Sequence, residues 1–289
     1  MSTPRTTVTL TGTGVPHPEA GRAGAGVCVR SGDTILQFDA GRATVMRLKE
    51  MGVTPHQLSA VFVTHVHSDH VVDLADVALT RWIQQEMYRC GPLTVVCPSG
   101  KPERFARRML EPFDDDIALR MEHVQPAPPR VDVVAFDPSP MPREVWRSED
   151  SSVVVTAVAV HHEPVPDAVA YRVDTPSGAV VISGDTRVCA EVGSLARGAA
   201  ILVHEACRSR AMAEATKGTP FEAIFEYHAD TVALGEMAAQ SGVPHLVLTH
   251  LIPAPRNDKD VASFADDVRS GGYQGTISVG RDLDEFVVS

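Results

Sequence analysis

The sequence is poor in aromatic residues (5%), and it has no apolar run that could span a bilayer. Its longest mainly apolar stretch, Val153 to Val160, falls far short of the roughly 20 residues a spanning helix needs. No membrane association is expected. Basic residues are also scarce: 26 Lys and Arg face 37 Asp and Glu, and the net charge of -11 repels a phosphate backbone unless basic groups cluster. No Lys- or Arg-rich block stands out, so general nucleic-acid binding is disfavoured. The five cysteines (Cys28, Cys90, Cys97, Cys189, Cys207) are odd in number and lack CxxC spacing. This argues against a disulfide framework or a cysteine zinc knot and leaves them as core thiols. The opening MSTPRTTVTLTGTG lacks the apolar core of a secretory signal, so a cytoplasmic location is the expectation.

What is present suits a folded globular chain: 289 residues, 44% hydrophobic and 22% charged, with 21 glycines and 21 prolines spread without a period. Short β-branched runs read as strands at 8–12, 34–39, 60–65, 93–97, 153–161, 169–173, 179–185, 201–206, 245–250 and 276–280. Helical periodicity follows at Val71 to Trp82, Thr231 to Gln240 and Val261 to Val268, the last ahead of Gly271. The fold class is α/β, with two sheets face to face and helices outside. One domain is expected over 1–289. Residues 111–150, with Asp114 to Asp116 and six prolines from Pro126 to Pro142, read as an irregular insertion or lid.

The informative segment is SAVFVTHVHSDHVVDLADVAL, where an apolar strand ends in His65, His67, Asp69 and His70 and an amphipathic helix follows. Residues two apart on extended backbone point to one side, so His65 and His67 can converge on an ion, and the turn brings Asp69 and His70 back. Three imidazoles and a carboxylate suit zinc, whose ligands are nitrogen, oxygen or sulfur. Other strands run into donors in the same way: VVVTAVAV into the His161-His162 pair, AVVISG into Asp185, and HLVLT into His250. So many donors imply two ions with a hydroxide between them. Asp185 would bridge, His65, His67 and a histidine of the pair would hold one ion, and Asp69, His70 and His250 the other.

The THVHSDH segment, the later lone histidine, the SGDT turn and the LTH segment resemble the metallo-β-lactamase superfamily from about residue 8 to 280. LTGTGVPHPEAGRAG, SGDTR at 183–187, VHEAC at 203–207 and YHADTVALGEMA at 227–238 are similar to its ribonuclease Z and arylsulfatase-like branch. The resemblance implies an αββα sandwich of two mixed β-sheets flanked by helices, and a homodimer. It also implies two zinc ions, with manganese or iron as alternatives, held by His65, His67, Asp69, His70, His162, Asp185 and His250. It selects His162 because the ligand histidine of relatives lies nine residues before the tyrosine of a Tyr-Arg pair, here Tyr171-Arg172. His228, 22 positions before His250, matches a non-ligand histidine that assists leaving-group protonation in ribonuclease Z enzymes. Such general-acid assistance contributes roughly 100- to 10,000-fold. Asp69 is expected to orient the attacking hydroxide as well as hold metal, and Glu205 to orient His228 or to form a buried salt bridge. His204 is expected to make a supporting hydrogen bond, and His17, His56, His123 and His245 to be structural.

The expected reaction is hydrolysis of an ester by a metal-activated hydroxide. Ribonuclease Z enzymes that mature transfer RNA generally carry an extended arm between the lone histidine and the bridging aspartate. Here those residues are 23 positions apart, room for a hairpin only. Together with the net charge, this disfavours transfer RNA and favours a small phosphodiester or an aryl or alkyl sulfate ester, in an apolar pocket walled by Trp82 and Trp146. The alternatives are a ribonuclease Z-type endonuclease processing transfer-RNA 3′ ends and a non-catalytic binding protein stabilised by its metals.

Overall fold

The computed structural model describes residues 4–288; the first three residues of the opening segment, and the last residue of the expected 1–289 domain, lie outside it. One seven-stranded sheet contains β1 (Thr6–Gly12), β2 (Gly26–Ser31), β3 (Thr34–Phe38), β4 (Ala60–Phe62), β5 (Leu93–Pro98) and β6 (Val131–Phe136) in that order. A final strand at Glu285–Val288 flanks β1. The other sheet runs in order through β7 (Arg143–Arg147), β8 (Val154–Ala159), β9 (Val169–Thr175), β10 (Gly178–Ile182), β11 (Ile201–Cys207), β12 (His245–Ile252) and β13 (Thr276–Val279), so the final strand is β14. Each sheet has an antiparallel half and a parallel half: β3 to β6 are parallel in the first, and β10 to β13 in the second.

Parallel neighbours need crossovers, and these carry most of the helices. In the first sheet they are α1 (Thr44–Glu50), α2 (Ser68–Val71), α3 (Leu74–Tyr88), α4 (Lys101–Arg108) and α5 (Asp114–His123). In the second they are α6 (Ala190–Leu195), α7 (Ser209–Thr216), α8 (Thr231–Ser241) and α9 (Asp258–Ser270). Strand periodicity sorts the apolar residues into three layers. Val180 and Ile182 enter the layer between the sheets, with Leu36, Phe38, Phe62 and Tyr171, whereas Val181 joins Leu234, Phe264 and Val268 under the helices of the second sheet. Val61 and Val95 meet Leu48, Leu74 and Val77 under the helices of the first. The Tyr171 hydroxyl donates to the Val63 carbonyl across the sandwich at 2.7 Å, pinning one sheet to the other where the first carries its donor loop. The expected αββα sandwich of two mixed sheets is what forms.

The texture of residues 111–150 misleads in part. Residues 131–136 and 143–147 are not irregular but form the outermost strands β6 and β7, one in each sheet. All six prolines fall in the connections around them, where no ladder donor is lost. The Trp82–Trp146 pocket does not form either. Trp82 is buried on α3 and donates its Nε1 hydrogen to the Ala127 carbonyl, whereas Trp146 packs edge-on against Phe62 between the sheets.

Candidate metal centre

The parallel strands of both sheets end on one side, and the donor residues lie at those ends. Beyond β4 the chain passes Thr64 into His65, Val66 and His67, then turns through α2 with Asp69 and His70. His65 is fully buried and His67 half-buried. His65 Nε2 lies 3.1 Å from His67 Nδ1, and His162 Nε2 lies 3.2 Å from the same atom. Asp185 Oδ2 is 3.9 Å from both His65 Nε2 and His162 Nε2. Two nitrogens bound tetrahedrally to one zinc ion stand roughly 3.3 Å apart, so this spacing suits a shared cation.

A second group adjoins it. His250 Nε2 is 3.3 Å from Asp69 Oδ2 and 3.3 Å from Asp185 Oδ2, while His70 Nε2 is 3.3 Å from Asp185 Oδ1 and 3.6 Å from Asp69 Oδ2. The seven donors named from the sequence thus gather into two groups, and Asp185 touches both. His70 Nε2 and Asp185 Oδ1 are buried without a hydrogen-bond partner, and an ion would satisfy both.

The nitrogens facing away from the groups are mostly occupied. The Thr64 hydroxyl donates to Asp39 at 2.8 Å, so its oxygen is free to accept from His65 Nδ1 at 3.0 Å. His70 Nδ1 donates to Asp39 at 2.8 Å, and His162 Nδ1 to the Tyr227 carbonyl at 3.2 Å. Such partners fix the tautomer and aim the other nitrogen's lone pair at the ion. Burial lowers the pKa of His65 and of His67, and neighbouring imidazoles add to both effects. Burial opposes charge on His70 as well, but Asp185 and Asp39 outweigh it and raise its pKa well above the ordinary value. Burial alone would raise the Asp185 carboxyl; His250 and His70 carry it well below the usual range.

Local backbone makes this possible. Gly184, at φ 59°, turns the chain into Asp185, and a Cβ there would sit 2.8 Å from Thr64 Cβ. Asp39 (φ 56°) and His250 (φ 44°) adopt left-handed conformations, which aspartate and histidine tolerate better than most non-glycine residues but which still cost on the order of 1 kcal/mol. Asp39 was not singled out from the sequence: a lone aspartate after a strand carries no metal-ligand spacing, and its partner His70 is 31 residues away.

His228 lies beside both groups, its ring 5.1 Å from that of His162 and stacked at 5.6 Å on that of His250. Its Nδ1 donates to Glu205 at 2.9 Å, and Glu205 also accepts from the Thr186 and Ala229 amides. Burial disfavours the imidazolium, but Glu205 overrides it and lifts the His228 pKa to about 9. A nitrogen of His228 also comes within ligand spacing of Asp185 and His250. His161 faces the other way, 3.5 Å from Glu191. His204 shares the strand parity of Leu202 toward the helices and donates to the Glu205 carbonyl at 2.8 Å. His17, His56, His123 and His245 lie outside the groups; His56 stacks on Tyr88 and His245 bonds to Ser278.

Residues 33–251 match the family described as the beta-lactamase superfamily domain. Ribonuclease Z of Mycolicibacterium gilvum is 35% identical over 280 residues, 96% of this chain and 94% of that protein. Ribonuclease Z of Mycobacterium avium is 37% identical, covering 96% of each. Among solved structures, the metallo-β-lactamase fold protein YhfI of Bacillus subtilis superposes with a TM-score of 0.73 at 19% identity, covering 98% and 99% of the two chains. Human tRNase Z, short form, does so at 0.70 and 19%, with the same coverage.

These relatives overturn the expectation of a small-molecule ester partner with transfer RNA disfavoured, because chains matching along almost the whole length are ribonucleases by name. Net charge does not decide what a site binds, because the local field depends on where charges sit. The acidic excess hides a local basic segment: Lys101, Arg104, Arg107 and Arg108 share α4 with a single carboxylate, Glu103. No helix among the described residues is long and apolar enough to cross a membrane.

Proposed function

The chain belongs to the metallo-β-lactamase superfamily, in its ribonuclease Z branch, and we propose that it is a divalent-metal-dependent phosphodiesterase that cuts the 3′ extension from transfer-RNA precursors. The observation that carries this reading is the convergence of seven donors on two groups joined by Asp185, with a carboxylate-held histidine alongside. His65, His67 and His162 would hold one cation, Asp69, His70 and His250 the other, and Asp185 would face both. Zinc suits this nitrogen and oxygen set. Bound there, the cations would supply hydroxide at neutral pH and stabilise negative charge on phosphoryl oxygens.

The chain's own groups do the rest. Glu205 holds Nδ1 of His228, which leaves Nε2 as the proton-bearing atom turned to the cluster, and the carboxylate keeps that proton in place near neutrality. His228 Nε2 donates it to the departing ribose oxygen. Asp69, whose Oδ2 lies 3.3 Å from His250 Nε2 in the same group, aligns the nucleophile. Buried walls around His65, His70 and Asp185 limit competing water.

The test is metal-loaded protein incubated with a precursor transfer RNA, bis(p-nitrophenyl) phosphate and an aryl sulfate, alongside metal analysis. A discrete cut at the 3′ side of the acceptor stem with about two metal equivalents is expected. Turnover of the small esters without RNA cleavage would overturn the reading.

A further inference from the structure

The ribonuclease reading leaves open how an acidic chain without a long arm holds a polyanion. We propose that α4 and the groove beneath it form a track for the phosphate backbone of single-stranded RNA leading to the metal centre. Lys101, Arg104 and Arg108 recur at spacings of three and four and so form one stripe of the helix, about 10 Å long. With Val66, Phe105, Met109 and Glu111 they line a groove of about 450 Å³.

The groove borders the donor loop through Val66, which lies between His65 and His67, although none of the seven donors lines it. The start of the helix also touches the segment that follows His162: the Lys101 amide donates to Asp167 at 3.3 Å. That carboxylate already occupies the start of α4, so phosphates would meet the side-chain stripe rather than the helix end.

The four cations are not equally committed. Arg107 is held by Glu103, and Arg108 by Glu111 at 2.9 Å. Lys101 and Arg104 are exposed and make no ion pair among the described residues. An exposed pair contributes only about 0–1 kcal/mol, so Arg108 exchanges Glu111 for a phosphate at little cost. Asp114, Asp115 and Asp116, in the first turn of α5, repel the strand and mark where the track ends. Phe105, half-buried on the groove side, offers an apolar surface to a ribose or base face.

The experiment compares wild type, Arg104→Glu, Lys101→Ala/Arg104→Ala and a surface control, Arg143→Ala, all metal-loaded and checked for equal metal content and melting temperature. Labelled single-stranded RNA is titrated by anisotropy over a salt series, and KM and kcat are measured on a precursor transfer RNA. Arg104→Glu is expected to weaken RNA binding about tenfold, with KM rising and kcat nearly constant. The double variant should flatten the slope of log affinity against log salt by about 1 to 1.5, near 0.7 per lost contact. Unchanged RNA affinity and salt slope would overturn the track even if wild type cleaves RNA efficiently. Loss of binding no greater than in Arg143→Ala would do the same. If wild type binds RNA through this stripe but cuts none, the ribonuclease reading falls and the track stands; if an acidic peptide binds there and RNA does not, the track falls.

Discussion

The two sheets supply the metal centre in different ways. The first gives four donors from one six-residue segment, His65 to His70, braced from below by Asp39. The second gives His162, Asp185 and His250 from three separate strand ends, and adds Glu205 and His228. A local segment keeps its spacing by covalent geometry, whereas the scattered set exists only when β8, β10, β11 and β12 are paired in register. Asp185, which faces both groups, therefore sits at the seam between the local set and the scattered one.

Asp185→Ala strikes that seam and should have the largest effect. Both ions are lost, and turnover drops at least about 1,000-fold, roughly 4 kcal/mol of barrier; retention of two equivalents by metal analysis would show that the halves bind independently. His228→Ala asks whether the second sheet alone carries the proton chemistry. Two ions should remain while kcat on RNA falls roughly 100- to 10,000-fold, with much less effect on p-nitrophenyl esters, whose leaving group needs no proton; loss of metal instead would make His228 a ligand. Asp39→Asn weakens the brace of the first sheet. It is expected to lower metal affinity about 10- to 100-fold in a chelator competition, with activity restored by excess metal. Glu205→Gln should have the mildest effect. Because Glu205 raises the His228 pKa against the pull of burial, its neutralisation lets the acid lose its proton sooner as pH rises. The alkaline limb of the pH–rate profile should move to lower pH, with a modest loss at neutrality.

The same division explains what could be read from the sequence. The segment at 65–70 is legible because its donors share one strand end and one turn. Asp185 and His250 are legible because each directly follows an apolar run. His162 could not be told from His161 by pattern alone; strand pairing turns His161 to Glu191 and leaves His162 inside. Asp39 and the Tyr227 carbonyl escaped because their roles are contacts across 31 and 65 residues, with no local signature. Among the strands, β2, β6, β7 and β14 carry weak signals: β2 opens on glycine and ends in Arg30-Ser31, β14 follows directly on the charged stretch Arg281 to Asp284, and prolines in the adjoining turns mask β6 and β7. The basic stripe of α4 was obscured by summing charge over the whole chain.

Asp39, His65, His162, Asp185, Glu205 and His250 all sit at the carboxyl ends of strands, above three apolar layers that contain none of them. Reaction and recognition are thus carried by parts that can change separately. Segments such as α4 can be lengthened, recharged or exchanged while the catalytic floor stays put, so a lineage can acquire a new substrate without having to reinvent its chemistry.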